Sequence, residues 1–422
     1  MIALKIAIRN VFSHRTRTII TLSAIAFGCI ALIFAGGYFE DVFRKMREAY
    51  IHGHTGHIQI FKKGFFEKGS AEPFNYLIDN PQQIIDQVRA IKGVRFVTPR
   101  LDFAGLISTG ETTISFIGQG IDPANEKGVA ISEISNVRQS MNSLMTGGIV
   151  MESGEPFKEN DMYSVIAGKG LASGIGVKPG DGLILVTNTV GGSINALDVT
   201  LKGTFLSSSK AFDDHFIRMP IAAAQKLLHT DSIQSLVVML DKTEETQRVK
   251  KELERLFEKD GLDLEIKTWN EISDFYTKTV SLFDRLFFVL KIVIAIIVIL
   301  SIFNTMNMAV LERTNEIGTI MALGTKRRGV LKLFLLEGLS LGLIGGTIGI
   351  LSGVITTVSI ARIGIPMPPP PNSTFTWISE PMIVPGTLVF TFILSVITSL
   401  ISSLYPAYKA SRLEIAEALR HT

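Results

Sequence analysis

Leu286–Val310 reads LFFVLKIVIAIIVILSIFNTMNMAV, 25 residues with a single charge, Lys291. A helix of that length and polarity spans a bilayer, whose hydrocarbon core takes about 20 apolar residues. Upstream, apolar residues fall at Ile272, Phe275, Thr279, Leu282, Leu286 and Val289, in steps of three and four. That spacing predicts a coiled-coil seam continuing the span into water, as one helix from Glu271 to Arg313. Three further apolar runs have spanning length: Thr18–Phe39, Val330–Ile360 (with Lys332 and Glu337 near its start) and the uncharged Ile383–Tyr405. Phe39, Phe43, Met46 and Tyr50 extend the first run with the same rhythm.

Net charge is only +3, but its placement orients the spans. Lys5, Arg9, Arg15 and Arg17 precede the first; Arg313, Lys326, Arg327, Arg328 and Lys332 lie between the second and third; Lys409, Arg412 and Arg420 follow the fourth. The segment joining spans three and four has only Arg362 and Glu380. Basic flanks stay in the cytoplasm. Both termini are therefore expected inside and the long segment between spans one and two outside. These basic residues need no nucleic acid to explain them. The first run is too long for the h-region of a secretory signal. Cys29, the only cysteine, lies within it, so the outer segment folds without an internal disulfide.

The chain is thus expected to be an α-helical membrane protein with four transmembrane helices and an extracytoplasmic α/β domain carrying a β-rich insert. The expected order is an amphipathic interfacial helix (1–17), the first span and its extension (18–50), the α/β domain (51–120 and 230–268) interrupted by the insert (121–229), a stalk and second span (269–313), a cytoplasmic coupling helix (314–329), the third span (330–361), a proline-rich external loop (362–382), the fourth span (383–406) and a tail (407–422). Asn80-Pro81 predicts a capped helix with proline in its first turn, running to about Lys92 with Gly93 as its stop. Ile365 to Pro371 has polyproline II composition, a stiff connector.

No catalytic set emerges. The chain lacks a G-x-x-x-x-G-K-[ST] phosphate loop, an H-E-x-x-H pair and a C-x-x-C pair. His52, His54 and His57 are close together, but no carboxylate or thiolate beside them completes a metal site. Gly338, Gly342 and Gly346, then Gly345, Gly349 and Gly353, form two ladders of every fourth residue, grooves for close helix contact with span four or two. Lys291 and Glu337 are expected to snorkel toward the membrane surface. The most specific segment is Glu312-Arg313-Thr314-Asn315-Glu316-Ile317-Gly318-Thr319-Ile320-Met321-Ala322-Leu323-Gly324. It predicts a short helix whose apolar edge (Ile317, Ile320, Met321) seats in a groove on a soluble partner.

The E-R-x-x-E-I-G-x-x-x-A-L-G run, with Leu336-Glu337-Gly338 and the glycine ladders, resembles the permease family that includes MacB, LolC, LolE and FtsX. Ala7-x-Arg9-Asn10 with Arg17-Thr18 is similar to the opening of the same proteins. Leu171-Ala172, Gly176-Val177-Lys178-Pro179-Gly180-Asp181, Phe212-Asp213-Asp214 and Ala223-x-Gln225-Lys226-Leu227 resemble the periplasmic domain of its lipoprotein-releasing branch. The resemblance implies an inner-membrane ABC transporter permease that carries ATP-driven motion to a periplasmic domain and extracts lipoproteins. Tripartite efflux of peptides or drugs with an adaptor, and regulation of a cell-wall hydrolase, are the alternatives. It implies no cofactor on this chain, ATP and Mg on two copies of a separate ATPase subunit, a second permease, membrane lipids, and a periplasmic lipoprotein carrier or adaptor as partners. Glu312, Arg313, Glu316, Ile317, Gly318, Ile320, Met321, Leu323 and Gly324 would couple to the ATPase. Phe34, Phe39, Phe43, Phe287 and Phe288 would meet a lipid-side substrate between spans one and two.

Overall fold

The computed structural model describes residues 9–10, 15–69, 71–123, 149–158, 161–207, 209–368, 376–415 and 418, the His54 side chain excepted. Most of the expected interfacial helix, part of the expected insert, the proline run from 369 and the end of the tail lie outside the described residues. The chain divides into a helical unit (Met1–Phe43, Thr279–Ile365 and Ser379–Thr422) and a mixed unit (Arg44–Lys278 and Pro366–Ile378).

Helix α1 (Arg15–Tyr50) ends in a π-helical turn, Ile51–Thr55. The mixed unit then follows as β1 (Ile58–Lys62), α2 (Pro81–Arg89), β2 (Val94–Ser108), β3 (Thr113–Ile121), β4 (Val150–Gly154), β5 (Ser164–Gly168), α3 (Lys169–Ile175), β6 (Gly182–Asn188), β7 (Ile194–Leu206), α4 (Lys210–His215), β8 (Phe216–Pro220), α5 (Ile221–Leu228), β9 (Ser235–Leu240), α6 (Thr246–Asp260), β10 (Leu264–Thr268) and α7 (Trp269–Ile272). Among the described residues, ten strands form one mixed sheet in the order β10-β1-β9-β2-β3-β8-β5-β7-β4, with β6 bridging β2 and β7.

The long strand β2 serves two cores. Its first half pairs with β9 from Val94 to Arg100, and its second half pairs with β3 from Leu101 to Ser108. Beside the first half, Ile58, Ile60, Val97 and Val238 meet Ile84 and Val88 of α2 and Val249, Leu253 and Phe257 of α6. The four-residue spacing on α6 puts that apolar stripe on one face. Beside the second half, Leu101, Phe103, Ile107 and Phe116 join Leu183, Leu201, Leu227 and Leu228. The second core thus draws on β2 and β3 as well as on the segment expected to be an insert. Asn80 sits at the N-cap of α2 with φ 50° and makes no side-chain cap, so Pro81 alone starts that helix.

The helical unit holds α8 (Asp274–Glu312), α9 (Thr314–Ala322), α10 (Arg327–Ile363) and α11 (Pro385–Ser411), besides most of α1. Four helices among the described residues, α1, α8, α10 and α11, are long and apolar enough to cross a membrane. The 39 residues of α8 make a rod of about 58 Å, against a hydrocarbon core of about 30 Å. It starts at Asp274 rather than Glu271, because a capping box on Thr268 opens α7 as a separate short helix and Ser273, its C-cap, departs from helical geometry between the two.

The glycine ladders face two different helices. A Cβ on Gly338, Gly342 or Gly346 would fall within 2.5 Å of Ser403, Ser399 or Ser395 on α11, again every fourth residue. Gly345, Gly349 and Gly353 lie against Ile25, Cys29 and Ile33 of α1, not against span two. With no side chain of their own, these glycines let the partner's small or branched side chains sit on the α10 backbone. The seam expected on α8 is displaced by one residue. Phe275, Leu282, Leu286 and Val289 are exposed, whereas Phe283 and Phe287 turn toward α1, 5.3 and 5.9 Å from Phe39 between ring centroids. Aromatic area outweighs heptad spacing in choosing the contact face.

Candidate coupling site

Arg313 occupies the N-cap of α9, and Gly324 follows the C-cap residue Leu323 with φ 99°, a left-handed conformation that favours glycine. Between them Ile317, 5% exposed, and Gly318 turn inward, and Ile317 joins the core of the helical unit with Val310, Val330 and Phe334. Met321 rests partly buried against the same core. Asn315, Glu316, Thr319, Ile320 and Leu323 face solvent, Leu323 being 83% exposed. The expected docking edge is thereby divided. Ile317 and Met321 seat α9 on its own bundle, and Ile320 and Leu323 stay exposed. Glu312 is the last residue of α8 rather than part of α9.

A charged clasp fixes α9 in place. Glu337, 4% exposed, accepts hydrogen bonds from Arg313 Nη1 at 3.1 Å and Asn10 Nδ2 at 2.6 Å. Arg313 Nε also lies 3.8 Å from Glu316, and Arg17 pairs with Glu312. Nearby, the Thr21 and Thr305 hydroxyls share a hydrogen bond of 2.6 Å. Glu337 therefore does not snorkel. It is a buried carboxylate joining the start of the chain, the N-cap of α9 and the body of α10. Removing one partner of such a pair is costly, because the other charge stays buried without compensation.

At the far ends of α1 and α8, Phe39, Phe43, Phe283 and Phe287 form one aromatic cluster with centroids 5.3–6.1 Å apart. Of the five phenylalanines proposed to meet substrate, Phe39, Phe43 and Phe287 belong to it. Phe34 stacks on Tyr38 at 6.5 Å, and Phe288 points away, 61% exposed. One face of α1 is also buckled to the segment that precedes α11. Gly37 O accepts from Met382 N–H at 3.2 Å, and Asp41 accepts from Ser379 Oγ at 3.1 Å and Glu380 N–H at 2.8 Å. Lys45 donates to Ile378 O at 2.8 Å and lies 5.6 Å from the Trp377 ring centre. The four-residue spacing of Gly37, Asp41 and Lys45 was the available signal. An apolar run that ends in charges gave no reason to look for it.

Two buried titratable groups shape the mixed unit. His57 Nδ1 accepts from Leu240 N–H at 3.2 Å, so Nε2 carries the proton and donates to Thr243 Oγ1 at 3.1 Å. Burial, with the neighbouring His52, lowers its pKa to about 4. An Nδ1 lone pair engaged in this way is not free for a metal. Asp213 accepts from Ser207 N–H at 2.9 Å, and burial raises its carboxyl to about 7 against the lowering effect of that bond.

Comparison with known proteins agrees with this architecture. The profile described as MacB-like periplasmic core domain matches residues 18–256, and that described as FtsX-like permease C-terminal matches residues 288–415. The lipoprotein-releasing system transmembrane protein LolC of Xylella fastidiosa (strain 9a5c) is 25% identical over 324 residues, 72% of this chain and 74% of that protein. The uncharacterized ABC transporter permease YknZ of Bacillus subtilis (strain 168) is 23% identical over 99% of this chain and 98% of its own. Among solved structures, the periplasmic region of MacB from Actinobacillus actinomycetemcomitans aligns with 53% of this chain and 92% of its own, at 15% identity and a TM-score of 0.36. The chain belongs to the family of ABC transporter permeases that join a MacB-like periplasmic core domain to an FtsX-like permease C-terminal region.

Proposed function

We propose that this permease converts ATP-driven motion of a separate ATPase subunit into work on a lipid-anchored cargo, lipoprotein extraction from the bacterial inner membrane. The observation that carries the reading is α9, a nine-residue helix clasped between two spanning helices and showing Glu316, Ile320 and Leu323 to solvent. A helix so held moves with α8 and α10 when it is pushed. The basic residues beside α9, Lys326, Arg327 and Arg328, favour the cytoplasmic side for it, which puts the mixed unit in the periplasm and both termini inside. The α1 and α8 helices run unbroken across the boundary between the helical and mixed parts of the chain, at Phe43/Arg44 and Lys278/Thr279. They are the elements suited to carry the motion outward. The exposed row Phe275, Leu282, Leu286 and Val289 has the heptad spacing of a helix that meets another, and a second permease is its proposed occupant. LolC likeness favours lipoprotein cargo. Lifting a chain out of the bilayer costs about 0.8 kcal/mol per CH₂, which calls for an external energy source.

The test replaces Ile320 and Leu323, separately, with aspartate and measures lipoprotein release and permease-stimulated ATP hydrolysis with the cognate ATPase in nanodiscs. Both activities are expected to fall at least tenfold, about 1.4 kcal/mol or more of lost docking, with the thermal transition unchanged. Full coupling by both variants would end the docking role of α9. Normal coupling to ATP with no lipoprotein released by wild type would end the cargo assignment.

A further inference from the structure

Lys291 lies one helical turn beyond Phe287 on α8, within the apolar run, yet its ammonium does not extend freely to the surface. It sits 4.5 Å from the Phe287 ring centre and 4.7 Å from that of Phe390 on α11. Two phenyl faces hold a cation through their quadrupoles but leave its charge in place. Among the described residues no carboxylate lies within ion-pair distance of it. The run from Ile383 to Tyr405 contains no acid, Asp41 of α1 is engaged by Ser379 and Glu380, and Asp284 is exposed two turns nearer the start of α8. Phe390 is in the second turn of α11, whose N-cap residue Val384 supplies no side-chain cap, so the positive end of that helix adds to the lysine charge. One turn deeper on the same face of α8, Ile294 and Ala295 line a crevice with Thr391. Thr391 is 1% exposed and its Oγ1 has no hydrogen-bond partner. The crevice has a volume of about 20 Å³, room for a water or one oxygen atom and not for an acyl chain.

We propose that Lys291, Phe287 and Phe390 form a subsite for the anionic phosphate ester of a membrane phospholipid, on the membrane face where the apolar run of α8 and the helix α11 begin. The rings fix the ammonium at the seam of the two helices, and its remaining N–H groups are available to phosphate oxygens. An ionisable residue inside a span is retained for such a partner more readily than for structure alone. The lipid's chains would run along the exposed flank of the seam, where Phe288, Val289, Ile292 and Ile393 are all more than 40% exposed. The subsite is independent of which cargo the transporter moves and of any ATPase.

The test uses the full chain in phosphatidylcholine nanodiscs containing trace spin-labelled phosphatidylglycerol or spin-labelled phosphatidylcholine with the same chains. The motionally restricted fraction of each is read by electron spin resonance. Wild type is expected to favour phosphatidylglycerol about fivefold, the effect of one basic side chain near the membrane surface. Lys291→Met should bring the preference below twofold, whereas Lys291→Arg and the control Lys332→Met should keep it. Phe390→Leu, which leaves the charge but removes one ring, should give an intermediate value if the methionine variant fails to fold. An unchanged preference in Lys291→Met or Phe390→Leu, or none in wild type, overturns the proposal. Millimolar glycerol 3-phosphate distinguishes the sources. Failure to displace the labelled lipid supports a lipid site, and displacement overturns it in favour of a soluble phosphate ester.

Discussion

Replacing Glu337 by glutamine keeps the shape and the Oε1 acceptor but removes the charge, leaving Arg313 buried beside a neutral amide. Arg313 Nη1 and Glu337 Oε1 are 3.1 Å apart, which puts the charge centres about 4 Å from each other. At an effective dielectric of about 20 their attraction is about 4 kcal/mol, within the range of about 3–5 kcal/mol found when one partner of a buried pair is lost. Asn10 still finds an acceptor, and Glu316, at 3.8 Å from Arg313 Nε, recovers part of the loss, so about 3 kcal/mol is expected. The assay is reversible unfolding of the purified full chain in mixed micelles, followed by circular dichroism, on Glu337→Gln, Arg313→Gln and the double variant. If the clasp acts as described, the double variant costs about 2 kcal/mol or more less than the sum of the singles. Additivity within about 0.5 kcal/mol would refute the clasp. A second readout checks its role: Glu337→Gln should weaken permease-stimulated ATP hydrolysis, because the tie of α9 to α10 then loses its charge.

Gly342→Ala drives a Cβ into Ser399 Oγ, so α10 and α11 must separate at a cost of about 1–3 kcal/mol. Ser399→Gly in the same chain should recover most of that, and equal destabilisation with and without it would refute the ladder contact. Asp213, raised to about 7 in the fold against 3.8 for the free side chain, binds protons more readily folded than unfolded. Its contribution is therefore most favourable below about pH 4 and is lost as pH rises through 7, by up to about 4 kcal/mol. Hydrogen exchange at Ser207 in the full chain should quicken over that window beyond the intrinsic pH trend, and Asp213→Asn, whose amide oxygen still accepts, should abolish the excess. His57 titrates in the opposite sense. With its folded pKa lowered to about 4, stability is retained above about pH 6.5 and falls as the pH drops toward 4, by up to about 3 kcal/mol. An imidazole resonance at position 57 titrating near 6.5 in the native protein would contradict its burial.

The four spanning helices were legible because the bilayer imposes one rule on length and polarity, and Leu286–Val310 satisfies it without reference to any neighbour. The class of the mixed unit was legible from alternating strands and from the Val249, Leu253 and Phe257 stripe. Which face each helix shows was not. The three-and-four spacing at Phe275, Leu282 and Leu286 is satisfied equally by a partner in the same chain, a second chain or lipid, and the contact with α1 went to Phe283 and Phe287 through aromatic area. Ile317 and Ile320 are both apolar and three residues apart, and nothing local tells which one turns inward. Glu337 misled for a different reason. Its partners Asn10 and Arg313 are 327 and 24 residues away, so an isolated charge in an apolar run looked like one reaching for water.

The buckle on α1 bears on how the molecule is made. Asp41 is 338 residues from Ser379 and 339 from Glu380, so its hydroxyl and amide donors do not exist until nearly the whole chain has left the ribosome. At about 5–20 residues per second, the newly inserted first helix waits roughly 20–70 s before those two donors arrive. A transcript cut short before codon 379 therefore yields a first helix that never acquires this buckle.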